Sequence, residues 1–600
     1  MSAEAAEPVI DLRDFSFTYR GATAPALRDV SLTVRPGEFV VVMGATGAGK
    51  STLAKCLNGS IPQFQPGELR GAVRVLGRSL AGVSVSDLAG AVGLVSQDFE
   101  AQLFSTNVRQ EVAFGMEQLG VARAEMAARL PAVLARVGLS GFEARDPTTL
   151  SGGEKQRLAI AALLALEPAL LVFDEPTTDL DPLSKDDVFA VLAALRAQGR
   201  TVVLIEHETQ AAVGADRLLL MDGGRIVADG VPPELLRDVA QLRRLGVRPL
   251  DLDCIGAAYG WPVVRDIDAA AARLALLAPP EPARWADRGP STSSGRTEVG
   301  ATGSGRTEVD AAGAGRRELN GPGAGHEAAP ADAPLIQVEH AGFAYPGGPP
   351  VLRDVSLQLR GGEFVALIGQ NGSGKTTLAK CLNGLLQPQQ GRILLRGAPL
   401  RGLSLHQVAG EVGYVFQNPD QQIFAATVGD EAAFAPRNFG WPVEEVARRT
   451  AAALTAVGLE GREAVDPFLL GKGERQRLAV ASLLALQPAA LVLDEPTTGL
   501  DDREQRRMLD LLAELHRGGM TVVVITHSPW VVAHYAERGI VLEAGGLAFD
   551  GPLRALFAEE ALLARCRFRL PDVTRVGRRL GFTPLTVEEL LAAVRPAPGA

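Results

Sequence analysis

The chain has 600 residues, 46% of them hydrophobic and 22% charged, with a formal net charge of −10. That length is too great for one core and calls for about two to four domains. The acidic balance argues against a nucleic-acid binder working through a broad basic surface. Four scattered cysteines, Cys56, Cys254, Cys381 and Cys566, form no CxxC pair and leave zinc ribbons and iron–sulfur centres without ligands.

From the N-terminus, MSAEAAEPVI is acidic and lacks the apolar run of a signal peptide. FVVVMG, Phe39–Gly44, reads as a buried parallel strand. It runs into GATGAGKST, Gly44–Thr52, and then a helix-forming string closed by Asn-Gly. This is the context a P-loop requires: Gly44, Gly47 and Gly49 let backbone N–H groups curl around phosphates, Lys50 reaches the outer phosphates, and Ser51 and Thr52 supply hydroxyls. The helix N-terminus adds positive potential. Cys56, inside LAKCLNG, reads as a small buried helix residue.

Gln97 opens SQDFEAQLFSTNVRQEVAFGMEQLG, Ser96–Gly120, and DPTTLSGGEKQRLAI follows at Asp146–Ile160. The longest apolar run, Leu158–Leu166, is far shorter than the roughly 18–20 residues of a membrane span. ALLVFDEP is an apolar strand ending in Asp174 and Glu175, a pair suited to holding Mg²⁺ and polarising a water. His207 ends the next apolar strand, TVVLIEH, 33 positions beyond Asp174; the same spacing recurs from Asp494 to His527, which reads as a contact to the γ-phosphate rather than a structural histidine.

The same order then repeats. GQNGSGKTT at Gly369–Thr377 supplies Gly369, Gly372, Gly374, Lys375, Thr376 and Thr377; Gln417, DPFLLGKGERQRLAV, Asp494-Glu495 and His527 follow. The offset is 325 at the glycine loops and 320 from Gln97/Gln417 onward, so the first half has five extra residues, placed around Ser60–Gly71 in a surface loop. Between the halves, residues 278–334 are Gly, Ser, Ala and Pro-rich, with SGRTEV twice; they read as a flexible tether. The expected domains are 8–277, 335–555 and a helical tail, 556–600, broken at Pro571 and Pro584.

The order P-loop, Gln, LSGGE, Asp-Glu, Leu-Asp, His resembles the nucleotide-binding domain of ATP-binding cassette (ABC) proteins, present twice. The resemblance implies an α/β fold, two P-loop NTPase domains in tandem that pair head to tail. It implies ATP and Mg²⁺, with Tyr19 and Tyr345 stacking on adenine and Ser51, Gln97, Asp174, Thr376, Gln417 and Asp494 around Mg²⁺. Glu175, Glu495, His207 and His527 would serve hydrolysis together with Gln97 and Gln417. Each ATP would lie between one P-loop and the other half's signature. Ser151-Gly152-Gly153 then closes over Lys375, and Gly471-Lys472-Gly473 closes over Lys50.

At the altered signature a serine hydroxyl is missing. One such donor to a charged acceptor is worth roughly 1.5–3 kcal/mol, so the two sites are expected to be unequal, with the Lys375/Ser151/Glu495 site the main engine. Lys472 either turns to the terminal phosphate as a point charge or faces solvent.

The stretch FQNPDQQIFAATVGDEAAFAPRNFG, Phe416–Gly440, and more loosely its first-half counterpart, resemble the ATPases of energy-coupling factor (ECF) and cobalt-type transporters. That resemblance implies an importer motor on the cytoplasmic face of the cell membrane. Its partners would be an integral membrane coupling (T) component and a small substrate-binding (S) component, with no nucleic acid and a vitamin or transition-metal ion as cargo. Asp98, Glu100, Asp420 and Glu431 are candidates to meet partner arginines, or else form a solvated acidic face. The alternatives are a sugar or peptide importer motor, or a soluble ABC protein acting on ribosomes or nucleic acid.

Overall fold

The computed structural model describes residues 7–80, 82–178, 180–277 and 334–594, apart from the side chain of Leu183. The expected tether, 278–334, lies outside the described residues except for Pro334. Each half builds two sheets. In the first half an antiparallel sheet has the order Leu27–Val34, Ile10–Tyr19, Gly67–Val75, Arg78–Ser79. A six-stranded sheet has the order Arg225–Gly230, Arg217–Asp222, Phe39–Gly44, Thr201–Ile205, Leu170–Asp174, Val92–Val95. All its neighbours are parallel except the Arg217–Asp222/Arg225–Gly230 hairpin at one edge.

The second half repeats this plan. Its six-stranded sheet runs Val412–Val415, Ala490–Asp494, Thr521–Ile525, Phe364–Gly369, Arg538–Glu543, Gly546–Pro552. Every residue of Phe39–Gly44, Leu170–Asp174 and Thr201–Ile205 is buried, which is why these strands read as unbroken apolar runs: a parallel sheet is covered on both faces. Because the strands are parallel, Gly44, Asp174 and Ile205 end at one edge, the carboxyl end where α/β sheets bind ligands.

The five extra residues fall between the helices Lys50–Leu57 and the strand Gly67–Val75, as the short helix Ser60–Gln63 and the exposed Phe64. The halves realign by Gly71 and Gly391, both at positive φ. A Cβ at Gly71 would meet Asp14 O at 2.3 Å, and one at Gly391 would meet Glu339 O at 2.1 Å, so neither bulge admits a side chain.

Helices Val108–Gln118, Arg123–Arg136 and Gly152–Leu164 pack on one another beside the first sheet; Val428–Asn438, Val443–Ala456 and Lys472–Leu484 do so beside the second. The apolar run from Leu158 forms the second half of the helix Gly152–Leu164, with Leu158–Ala161 and Leu164 buried. Among the described residues no helix is long and apolar enough to cross a membrane. Cys56 and Cys381 are fully buried, and burial pushes both thiols up to about 12.

The tails of the two halves meet. Leu252, Ile255 and Leu274 share one apolar cluster with Val573, Val576, Leu590 and Val594. Asp251 Oδ2 accepts from the Val573 N–H at 3.0 Å beside that cluster. The helix Leu553–Ala558 runs across the expected 555/556 boundary.

Candidate active site

Gly49, at φ +98, turns the chain from the strand into the helix Lys50–Leu57, and a Cβ there would meet Ala26 O at 2.6 Å. Lys50 Nζ donates to Gly44 O at 2.9 Å and Ala45 O at 3.0 Å, which folds the lysine back along its own loop. Ser51 Oγ donates to Asp174 Oδ1 at 3.1 Å, and the Tyr19 hydroxyl lies 3.0 Å from Thr52 Oγ1. The second half reproduces the pattern. Lys375 Nζ donates to Gly369 O at 2.9 Å and Gln370 O at 2.8 Å. Thr376 Oγ1 donates to Asp494 Oδ2 at 2.7 Å, and Tyr345 lies 3.3 Å from Thr377 Oγ1. Burial lowers the pKa of both lysines, against the pull of the adjacent carboxylates.

Glu175 and Glu495 sit one residue past their strands at φ +53 and +48, left-handed conformations that a non-glycine residue adopts at a cost. This turn carries each carboxylate to the P-loop lysine. The two then differ. Glu175 is fully engaged: Gln97 Nε2 donates to Oε2 at 3.0 Å, His207 Nε2 lies 2.7 Å from Oε1, and Lys50 Nζ is 4.0 Å away. Burial pushes Glu175 up, but the His207 hydrogen bond and the charges of His207, Lys50 and Lys472 together hold it below its ordinary value. Glu495 has His527 Nε2 at 3.3 Å, in a poor direction for a hydrogen bond, so its Oε1 accepts none. Burial, then the charge of Asp494, pushes Glu495 up to about 8; burial, then Lys375, brings His527 down to about 4. Asp174 is raised to about 6 by burial and by Glu175.

The P-loop of each half faces the other half. The Thr46 N–H donates to Asp501 Oδ2 at 2.6 Å, and Asn371 Nδ2 donates to Asp181 Oδ2 at 3.1 Å. A cavity of about 2400 Å³ opens along the seam. Its lining brings Ser151, Gly152 and Gly153 of the first half together with Lys375, Thr376, Gln417, Glu495 and His527 of the second. Ser151 caps the helix Gly152–Leu164: its hydroxyl accepts from the Glu154 N–H at 3.3 Å, and its own N–H donates to Glu154 Oε2 at 2.7 Å. Gly471 takes the same place before Lys472–Leu484, its N–H donating to Glu474 Oε2 at 3.0 Å. Glycine is tolerated at an N-cap at a cost of only a few tenths of a kcal/mol, so the helix survives the substitution. Lys472 is half-buried, and its ammonium lies beside Gly499 at the seam.

The acidic candidates for a partner groove are largely spoken for within the chain. Glu431 is a correction: only 2% exposed, it accepts from the Phe424 and Ala425 N–H groups at 3.0 and 2.9 Å and so braces the loop. Glu100 pairs with Lys155 at 2.9 Å and Asp420 with Arg475 at 2.7 Å. Asp98 is exposed and accepts from the Ala101 N–H at 3.3 Å. What this surface presents instead is aromatic. Phe104 and Phe114 meet edge to face at 4.7 Å, Phe424 and Phe434 at 4.5 Å, and all four rings are exposed.

Several residues at the seam or behind the sites escaped the sequence reading. Arg248 donates to Asp502 Oδ1 at 2.7 Å and to Gln505, and stacks over Trp530 at 4.0 Å. Tyr414 donates to Asp494 Oδ2 at 3.1 Å where the first half has Leu94. The usable signal was the mismatch between halves: Trp530 aligns with Gln210 and Tyr414 with Leu94, polar or aromatic changes within an otherwise faithful repeat.

The family model described as ABC transporter matches residues 27–178 and 352–498. Relatives named as ABC transporter ATP-binding proteins, under names that mark the assignment as provisional, match over nearly the whole length. One from Caldanaerobacter subterraneus subsp. tengcongensis is 42% identical over 98% of this chain and 99% of its own. One from Methanosarcina acetivorans is 38% identical over 97% of this chain and 93% of its own. One from Vibrio vulnificus is 33% identical over 95% and 94%. Among solved structures, CbiO1 from Clostridium perfringens, part of the ABC transporter complex CbiONQ, is 31% identical and aligns over 42% of this chain and 99% of its own, with a TM-score of 0.37. Two P-loops, each facing the other half across a seam, and whole-length relatives lead to one conclusion: the chain belongs to the ABC transporter ATP-binding proteins, as two tandem ABC domains that bind and hydrolyse ATP.

Proposed function

We propose that the chain is the motor of an ECF-type importer, acting at the cytoplasmic face of a membrane on a multi-span coupling partner and a small substrate-binding partner. The observation that carries this reading is the pair of exposed aromatic couples, Phe104–Phe114 and Phe424–Phe434, one on each half, within the QNPDQQIF-type stretches. Exposed large rings in matching places on both halves are surfaces that a partner covers. Gln97 joins this stretch to the reacting centre, since its side chain holds Glu175 and its backbone leads within a few residues to Phe104. Closure of the seam is thereby mechanically tied to the aromatic surface.

In this reading the nucleotide's phosphates lie on the loops Gly44–Lys50 and Gly369–Lys375, and Tyr19 and Tyr345 flank the base. The hydroxyl–carboxylate pairs Ser51–Asp174 and Thr376–Asp494, all oxygen donors, fit Mg²⁺ beside Gln97 and Gln417. The ion would neutralise charge on the transferring phosphoryl group. Glu175 and Glu495 orient and polarise the attacking water; His207 holds Glu175 in position, and both histidines would reach the terminal phosphate. The water oxygen bonds to the terminal phosphorus as the bond to the bridging oxygen breaks, one water proton passing by way of the carboxylate to solvent and the other staying on the phosphate, giving ADP and phosphate. The units 8–277, 278–334, 335–555 and 556–600 correspond to motor, tether, motor and tail. One chain carrying both motors fixes their ratio and raises their effective concentration.

The test is to tag the chain, extract it gently from native membranes and identify what co-purifies. A multi-span protein with one or more small hydrophobic proteins is the expected result. Ribosomal proteins or nucleic acid, without a membrane protein, would overturn the importer reading. A periplasmic-type sugar or peptide binding protein would move it to another importer class.

A further inference from the structure

Lys472 occupies the first turn of the helix Lys472–Leu484, where the helix macrodipole opposes a cation. An anion facing the ammonium offsets that cost. The ammonium is closely packed: a Cβ at Gly499, itself at φ +71, would lie 2.4 Å from Lys472 Nζ and 3.3 Å from Thr178 Cγ2 of the first half. Gly499 is therefore required by the lysine as well as by its turn. The first half carries Gly152 and Asp179 at the two corresponding positions, so the halves differ both at the lysine and at the glycine that makes room for it. A Cβ at Gly152 would meet nothing within 4 Å.

Across the seam, Thr178 Oγ1 lies 3.5 Å from Glu175 Oε2, and Lys50 Nζ lies 4.0 Å from Glu175 Oε1. Lys472 thus lies at the seam beside Thr178, whose hydroxyl borders the carboxylate that Lys50 approaches within its own half. The seam on this side is also the better fastened. Asp501 holds Thr46, the Asp502 N–H donates to Gly246 O at 3.3 Å, and Arg248 joins Asp502.

We infer that Lys472 is the second cation of the Lys50 site, delivered in trans to the terminal phosphate of ATP in place of the missing serine hydroxyl. It makes this the site that distinguishes a nucleoside triphosphate from a diphosphate by charge. The inference rests on the assignment of Lys50 and Glu175 to a nucleotide site, and is independent of any membrane partner.

The experiment is equilibrium dialysis of the full chain with labelled Mg²⁺–AMP-PNP and, separately, Mg²⁺–ADP. Two classes of AMP-PNP site are expected. Lys472→Met should weaken one of them on the order of 10- to 100-fold, the effect of losing a charge-assisted contact. The other class should be unchanged, which also shows that the variant is folded, and ADP binding should be unchanged at both. Lys472→Arg should keep most of the lost affinity. Equal weakening for AMP-PNP and ADP, or no weakening, would overturn the inference. Lys50→Ala should remove the class that Lys472→Met weakens; removal of the other class would overturn the pairing across the seam. If Lys50→Ala removes neither, the nucleotide-site assignment itself fails, whatever Lys472 does.

Discussion

The backbone N–H of Thr46 donates to the Asp501 carboxylate, 455 positions later, at 2.6 Å. A P-loop of one half is thus held by the residue that starts a helix in the other. Asp501 is nearly inaccessible, and its second oxygen caps the helix Asp502–Arg517 by accepting from the Glu504 N–H at 2.9 Å.

These two roles separate by substitution. Asp501→Asn keeps a good N-cap and removes the charge facing the P-loop; Asp501→Ala removes both. Steady-state phosphate release should fall in both variants, by about one order of magnitude for a contact worth roughly 1.5–3 kcal/mol. Thermal stability should fall only in Asp501→Ala. An equal loss of melting temperature in the two variants would show that the cap is not what the asparagine preserves.

The two catalytic carboxylates are expected to be unequal. Glu495→Gln, in the site lined by Ser151 and Lys375, should abolish most turnover. Glu175→Gln, in the site of the altered signature, should leave a substantial fraction. Phosphate release from the two single variants decides it, and the reverse order would exchange the roles of the sites.

The two seams should differ in strength. Arg248 is held by Asp502, Gln505 and the face of Trp530, and Asp502 is 6% exposed. Its first-half mirror is an open ion pair, Arg569–Asp186 at 2.7 Å. Arg248→Ala should destabilise by about 2–4 kcal/mol, since it strips one of two cations from a buried carboxylate that Arg506 still holds. Arg569→Ala should cost less than about 1 kcal/mol. Denaturant unfolding of the two variants makes the comparison; equal losses would remove the asymmetry.

The tail contact should be pH-dependent. Burial pushes Asp251 up to about 6, against the pull of the Val573 N–H. The folded state therefore holds this proton more tightly than the unfolded chain does, and stability falls as pH rises from about 4 to 6. Asp251→Asn keeps an acceptor without the charge. It should raise the melting temperature at pH 8 and have little effect near pH 4, and a gain of equal size at both would exclude titration of Asp251 as the cause.

The exposed rings are expected to matter for partners and little for the fold. Replacing Phe104 and Phe424 by Ser should leave the melting temperature nearly unchanged, because both rings are more than half exposed. Recovery of membrane proteins with the tagged chain should be lost; undiminished recovery would place the docking surface elsewhere.

Much of this was legible in the residues. The apolar runs before Gly44, Asp174 and His207 are strands because a parallel core strand is buried on both faces and needs no alternation. The doubled order of motifs marked two domains, and the five-residue discrepancy marked a loop, where the helix Ser60–Gln63 now stands. Glu431 was misread as surface acid because its sequence neighbourhood is polar; the loop that folds back over it, with two N–H groups aimed at its carboxylate, has no local signature.

By itself the sequence determined the chemistry and the architecture of each half, since glycine turns, strand-end carboxylates and helix caps are written in adjacent residues and act over a few ångströms of the same segment. Only the tertiary structure decided what crosses the seam: that Asp501 meets Thr46, that Arg248 lies on Trp530, and that Lys472 comes beside Thr178 of the other half. Such contacts join residues hundreds of positions apart. They depend on how two folded surfaces fit together, and no periodicity in either segment encodes that fit.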